Sequence, residues 1–254
     1  MDALRIDIPL GDFSGINLVG VLGRRIDLIS GSHETDNVAG ASWYGSAILA
    51  RVFTNLLDWD VALQGGKVYG GYQLGGAFTG ELFEIEIRAE AAYLFVEDIR
   101  PFLPLPLPFL SGENEIESHF TAVLGLGHRF ENTLHLQAEY LYNGSGDPDN
   151  LEVAMLRQAS GGSYHLGRHI TGIVASYEIL PILNGSLAWI FSFSDYSSLI
   201  QPGVVLSISD EAEFMFGAMI ALGARPRATM WGNGLKSEFG SYPNFYYMEF
   251  KYYF

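Results

Sequence analysis

The chain has 254 residues, 48% of them hydrophobic and 14% aromatic, with 30 glycines, which excludes both intrinsic disorder and a collagen-like repeat. Its 29 acidic against 14 basic side chains give a formal charge of -15, which argues against nucleic-acid binding, because phosphate neutralisation needs clustered Lys and Arg. There is no cysteine, so disulfides, thiolate metal sites, iron–sulfur clusters and thiol nucleophiles are excluded as well.

The first twenty residues hold Asp2, Arg5, Asp7 and Asp12 without a continuous apolar core, so no signal peptide is read there. No run of eighteen apolar residues follows, so no bilayer-spanning helix is predicted. The apolar residues instead alternate with polar ones at a period of two, in segments of roughly ten residues bounded by Gly, Asn, Asp, Ser and Pro. In chain order the alternation predicts about thirteen strands: Leu4 to Leu10, Ile16 to Arg25, Trp43 to Asn55, Trp59 to Tyr69, Tyr72 to Leu82, Glu84 to Val96 and His119 to Phe130, then Leu134 to Asn143, His169 to Ile179, Gly185 to Phe193, Ile200 to Ser209, Glu211 to Gly223 and Phe245 to Phe254. A short helix is predicted between Asp149 and Ala159, after Pro148 and before Gly161.

The segment from Glu84 to Val96 shows the pattern most clearly. Ile85, Ile87, Ala89, Ala91, Tyr93 and Phe95 fall on one face, and Glu84, Glu86, Arg88 and Glu90 on the other. The connections have a rhythm of their own: with one exception, tight links alternate with longer ones, the long ones being Ile26 to Ser42, Glu97 to Ser118, Gly144 to Arg168 and Ala224 to Asn244. Tight turns at one end and extended loops at the other are the plan of a transmembrane β-barrel. Closure arithmetic separates this from a soluble barrel. About eight strands enclose a space that side chains fill, whereas twelve or more leave a lumen that Ile and Phe cannot plug, so the apolar face must look outward into lipid. Trp43, Tyr44, Trp59, Tyr69, Tyr72, Tyr140, Tyr142 and Tyr246 fall near predicted strand ends, where amphipathic rings anchor at headgroups.

Counting back from Phe254, the face shared by Tyr252, Phe250, Met248 and Tyr246 is an unbroken apolar and aromatic stripe that ends on the last residue. In this strand the chain resembles bacterial outer-membrane β-barrel proteins, and the up-and-down pattern extends the likeness loosely over the whole length. The resemblance implies an antiparallel barrel of about 12–14 strands as a single domain over residues 1–254, in the bacterial outer membrane. It also implies membrane lipid and the barrel-assembly machinery as partners, with Tyr246, Met248, Phe250, Tyr252 and Phe254 as the assembly signal.

Thirteen strands raise a parity problem, since complete bacterial single-chain barrels have an even number with both ends periplasmic. Two expectations follow. In one, residues 1–254 are the C-terminal part of a larger barrel lacking an odd number of strands. In the other, Leu4 to Leu10 does not span, or a predicted pair is one strand, and twelve strands close on themselves.

The inward positions predicted are Asp7, Arg51, Asp60, Gln64, Glu84, Glu86, Arg88, Glu90, His119, Arg129, His135, Gln137, Glu139, Glu178, Glu249 and Lys251. Acidic groups dominate, so a water-filled bore favours cations; alternatively, Glu86 and Arg88 pair across strands with Arg129 or Glu139 and fill a narrow interior. No catalytic residue, metal site or cofactor is predicted. The histidines form no HExxH, and His165 and His169 would lie roughly 13 Å apart in extended chain, too far for one metal; together with Ser163 they are read as polar loop residues. The glycine pairs Gly65-Gly66, Gly70-Gly71 and Gly75-Gly76 make no phosphate loop. Pro101 to Leu110, with a proline at every second or third position, is expected to be extended and unpaired. The function expected is passive, porin-like passage of small solutes, and the alternative is a structural or adhesive surface barrel acting through its long loops.

Overall fold

The computed structural model describes residues 2–26, 38–41, 43, 45–97, 117–159, 165–229 and 232–253. The elements in chain order are β1 (Asp2–Pro9), β2 (Gly15–Leu22), β3 (Arg24–Ile26), β4 (Val38–Ala41), β5 (Ala47–Leu56), β6 (Trp59–Val68), β7 (Gly71–Leu82), β8 (Ile85–Val96), β9 (His119–Arg129) and β10 (His135–Asn143). The helix α1 (Leu151–Ala159) follows, and then β11 (His169–Leu180), β12 (Leu183–Ser192), β13 (Ser197–Ser209), β14 (Ala212–Leu222), β15 (Arg227–Thr229), β16 (Gly232–Gly234), a 3-10 turn at Phe239–Ser241 and β17 (Phe245–Tyr252). The chain is all-β: thirteen of these strands form one sheet in the order β1-β2-β5-β6-β7-β8-β9-β10-β11-β12-β13-β14-β17, each antiparallel to its neighbour in sequence. β3 with β4 and β15 with β16 make separate two-stranded ribbons. Among the described residues no helix is long and apolar enough to cross a membrane.

All thirteen predicted strands are present, and β1 pairs with β2 over its whole length, from Asp2↔Leu22 to Pro9↔Gly15, so the twelve-strand count does not hold. The sheet is not closed: among the described residues no register joins β1 to β17. Several ends differ from the alternation for local reasons. The strand expected from Trp43 starts at Ala47, because Ser46 N–H bonds back to the Trp43 carbonyl (3.2 Å) and the Ser46 hydroxyl takes up Gly23 N–H (3.3 Å). The strand expected from Ile200 starts at Ser197, because Asp195 Oδ1 accepts both the backbone N–H (3.0 Å) and the hydroxyl (2.7 Å) of Ser197 beside Tyr196 at φ 57°. The segment expected to run on to Arg25 breaks at Gly23, where a Cβ would collide with the Gly45 carbonyl, and Arg24–Ile26 joins the first ribbon instead.

The tight links at one end include two-residue turns with positive φ at both positions, Leu57 (53°) with Asp58 (67°) and Phe83 (51°) with Glu84 (64°). Among the described residues the sheet encloses no dry nucleus of its own apolar stripe. Ile85 is 41% exposed and Phe250 55%, whereas the buried apolar clusters, Leu151 with Ala154 and Leu166, and Leu199 with Ala221 and Phe239, form where the long loops fold back. The predicted helix exists, two residues shorter at its start, with Asn150 Oδ1 accepting Val153 N–H at 3.3 Å as its cap. The segment Pro101 to Leu110 lies outside the described residues.

Candidate functional site: a charged wall and a loop cap

Register and alternation together fix which side chains share a face. One unbroken row runs Asn55↔Asp60↔Thr79↔Arg88↔Gly125↔Glu139↔Gly172↔Ile190↔Leu199↔Ala221, from β5 to β14. On this face, the wall, the row above begins Asp7↔Asn17↔Arg51↔Gln64, and farther along Arg129 faces His135, Glu178 faces Asn184 and Glu249 faces Met215. Thus Arg51, Asp60, Glu86, Arg88, Glu90, Arg129, Glu139, Glu178 and Glu249 stand on one side of the sheet. Glu84 does not: it occupies the turn between β7 and β8 in the left-handed region, so its side chain leaves from the tip of a hairpin and not from the wall. The register adds two carboxylates, Glu81 opposite Glu86 and Glu213 opposite Lys251.

The wall's ion pairs among the described residues run along single strands, not across them. Arg5 Nε meets Asp7 at 3.0 Å, Arg88 Nε meets Glu86 at 3.2 Å and Lys251 Nζ meets Glu249 at 3.7 Å, each pair two residues apart and substantially exposed. The i, i+2 spacing puts both partners on one face of one strand. Asn17 Nδ2 also donates to Asp7 (2.6 Å), and Asn55 Nδ2 to Asp60 (2.9 Å), while the Arg51 guanidinium lies 5.4 Å over the Phe53 ring. Glu90, Glu139 and Glu178 are exposed and have no cation partner among the described residues. Glycines keep the space between charges open. A Cβ at Gly125 would stand 3.4 Å from Glu139 Cγ and 3.7 Å from Arg88 Cβ, and one at Gly127 would stand 3.3 Å from Glu86 Oε2, so the charged stems lean over bare backbone.

At the end of the long loops the same face is covered. Phe239, 2% exposed, packs on Leu199 and Ala221, with Ile190 and Met219 beside them, all wall-face positions of β12–β14. The fastening is polar and centred on Glu238, 3% exposed. Its carboxylate accepts from Gly167 N–H (2.9 Å) and pairs with His165 Nδ1 (2.7 Å), and its own N–H donates to Asp195 Oδ2 (2.6 Å). Phe239 N–H donates to Ser197 Oγ (3.1 Å), and Asn143 Nδ2 donates to the carbonyls of His165 (2.9 Å) and Gly167 (3.0 Å). Three loops are therefore tied into one cap, and Leu235 packs against Leu151, Ala154 and Leu166 inside it. His165 and His169 do not act together: His165 meets Glu238 in the cap, whereas His169 Nδ1 meets Tyr140 Oη (2.6 Å) on the other face. Nothing in the spacing of Asp195, His165 and Glu238 marked them in sequence. Ser163 lies outside the described residues.

The opposite face is dominated by apolar side chains. Leu63 (69% exposed), Leu74 (60%) and Met248 (67%) typify it, and a shallow depression of about 910 Å3 runs over its small residues Gly76, Ala91 and Ala122 between Val52 and Tyr140. Trp59 lies flat over Gly80, where any Cβ would strike the indole, 5.7 Å from the Phe78 ring. Tyr246, Met248, Phe250 and Tyr252 lie on this face along β17, paired with Ala218, Phe216, Phe214 and Ala212, and Phe254 lies outside the described residues.

No protein-family model and no curated protein matches the chain. Among solved structures it is similar to the outer membrane channel DcaP of Acinetobacter baumannii, with 10% sequence identity, 98% of this chain and 83% of that chain covered, and a TM-score of 0.45.

Proposed function

We propose that the chain forms the wall of an outer-membrane β-barrel that passes small solutes, with an acidic bore favouring cations and no catalytic chemistry of its own. The observation that carries this reading is the division of one register into two chemistries: exposed large apolar side chains on one face, and Asp7, Asp60, Glu86, Glu90, Glu139, Glu178 and Glu249 against Arg5, Arg51, Arg88, Arg129 and Lys251 on the other. Exposed apolar side chains on one whole face of thirteen strands are stable against acyl chains, and water then belongs on the charged face. A carboxylate-rich lining lowers the energy of a cation in the bore and raises that of an anion. The lipid face meets phospholipid and outer-leaflet lipid, and the aromatic stripe of β17 is the segment offered to the barrel-assembly machinery.

Within a bilayer the free edges of β1 and β17 would leave unpaired N–H and C=O groups, each costing several kcal/mol. With thirteen antiparallel strands, β1 and β17 run in the same direction, so pairing them directly would be parallel. On this reading an odd number of further strands closes the sheet, and residues 1–254 are the C-terminal wall of a larger barrel. Because the chain has no cysteine, an Ile6→Cys/Met248→Cys pair reports the edge cleanly. No disulfide forms under oxidation if strands intervene, and a rapid one refutes the insertion.

The test of transport is planar-bilayer recording under a KCl gradient. The expected reversal potential is that of a cation-preferring pore, and Glu90→Gln/Glu139→Gln/Glu178→Gln moves it toward zero. A folded, inserted protein that conducts nothing, or one whose preference is for anions, overturns the reading.

A further inference from the structure

We infer that the outer loop after β14 holds a binding site for a phosphate-type oxyanion. A cavity of about 540 Å3 opens there, lined among the described residues by Ala224, Arg225, Pro226, Arg227 and Lys236, so three cations and no carboxylate border it among those residues. The chain carries 14 Lys and Arg in all against 29 Asp and Glu, which makes the convergence of three uncompensated cations unusual in its own surroundings. Elsewhere Arg5, Arg88 and Lys251 are matched by a carboxylate two residues away, whereas among the described residues none of Arg225, Arg227 and Lys236 has an ion-pair partner.

The fold brings the three together by separate means. Arg225 is anchored by neutral acceptors: Nη1 donates to the carbonyls of Gly240 (3.2 Å) and Tyr242 (2.8 Å), and Nη2 to that of Ala221 (3.4 Å). Carbonyl oxygens fix the guanidinium in place without cancelling its charge, and its fork retains donors beyond those used. Arg227 opens β15 and pairs in register with Gly234, and Lys236 follows two residues after that glycine, so the ribbon folds both cations toward one cavity. Both are exposed and make no side-chain hydrogen bond among the described residues, which leaves their donors available. Two guanidinium groups and an ammonium around one space suit a multiply charged tetrahedral oxyanion: the planar forks offer paired N–H donors and the lysine a compact charge. A phosphate carried by a small dissolved molecule and a phosphate on a lipid headgroup present the same chemistry here. The site does not depend on the transport reading, since it lies in the loop and uses none of the wall charges.

The experiment is calorimetric titration of inorganic phosphate into the folded full chain, in zwitterionic detergent and in nanodiscs of phosphatidylcholine with or without phosphatidic acid. Saturable binding is expected, weakened roughly tenfold or more, equivalent to about 1.4 kcal/mol, in Arg227→Ala/Lys236→Ala. Arg227→Lys, which keeps the charge, retains binding within about threefold, or ~0.7 kcal/mol, and so separates a charge effect from a folding effect. Phosphate binding unaffected by phosphatidic acid assigns the site to dissolved phosphates, whereas competition by phosphatidic acid assigns it to lipid headgroups. Absence of saturable binding in every preparation, or equal affinity in the double variant, overturns the proposal.

Discussion

Between β6 and β10 the wall face carries Asp60, Glu86, Arg88, Glu90, Arg129 and Glu139 with nothing among the described residues folded over it, whereas toward the long-loop ends of β11–β14 the same face carries Ile170, Ile190, Leu199, Met219 and Ala221, and Phe239 lies on top of it. The backbone is alike in both regions, an antiparallel ladder of nine- to thirteen-residue strands. The difference lies in what the neighbouring loop does. Where β8 and β10 present charges, glycines at 125 and 127 leave room for solvent between them; where β13 and β14 present Leu199 and Ala221, the chain after β14 returns to exclude water and is pinned there through Glu238. One face of the sheet is thus open charged wall and seat of the cap at once, and side-chain polarity changes with what covers each position along the strands.

The largest expected effect comes from placing the same polar group in both regions. Leu199→Gln puts an amide beneath Phe239 at a position 5% exposed, and removes apolar contacts as it does so; the expected cost is about 3 kcal/mol. Val123→Gln, on the half-buried wall position between Glu90 and Leu141, changes stability by about 0.5 kcal/mol or less, because the amide reaches water. Urea unfolding in detergent micelles measures both, and equal losses would erase the distinction between the two regions.

Next in size is the fastening. Glu238→Ala leaves Gly167 N–H and His165 Nδ1 without the carboxylate they meet, at an expected cost of about 1–3 kcal/mol. Limited proteolysis is the sharper readout: cleavage within 144–168 and 224–244 is expected to accelerate together, since both loops are held by this one carboxylate, while the strands of β6–β10 stay protected. Cleavage confined to one loop would mean that the cap is two independent pieces.

The two regions were not equally legible in sequence. Thirteen strands and the face of every wall charge except Glu84 follow from alternation, because a period of two is a local property that lipid or water on either side reinforces along each strand. Glu84 misled because the segment alternates one residue into its turn, and the positive φ at Phe83 and Glu84 arises from the hairpin's twist, not from any glycine signal. The cap was invisible for a different reason. His165 meets a residue 73 positions later and Asp195 one 43 positions later, with no shared spacing, so only the folded chain brings them together. Apolar Ile190 and Leu199 were legible as strand residues, but what covers them was not.

A smaller effect is expected from filling the gap that separates charges on the open wall. Gly125→Leu extends a side chain between Arg88 and Glu139, where a Cβ meets only ordinary contacts, so the fold tolerates it and β-strand propensity improves by roughly 0.5–1 kcal/mol. Single-channel conductance should fall while the urea midpoint holds or rises. Unchanged conductance would place the narrowest part of the path elsewhere, with the capped strands as the alternative.

The smallest effect belongs to the turns on the uncapped side. Leu57 and Asp58 both occupy the left-handed region, where residues with a Cβ are disfavoured by roughly 1–2 kcal/mol each, and Leu57 stands 93% exposed with no anchoring side chain. Leu57→Asn/Asp58→Gly supplies the pair that a two-residue hairpin of this twist prefers, and the gain is partly offset by the greater freedom of glycine in the unfolded chain. A net stabilisation of about 0.5–1 kcal/mol is expected, read as slower unfolding in urea. Because the β5–β6 turn lies at the end of the sheet opposite the cap, the gain should add to the loss from Glu238→Ala in a double variant; a non-additive result would show that the open wall and the capped wall unfold as one coupled unit.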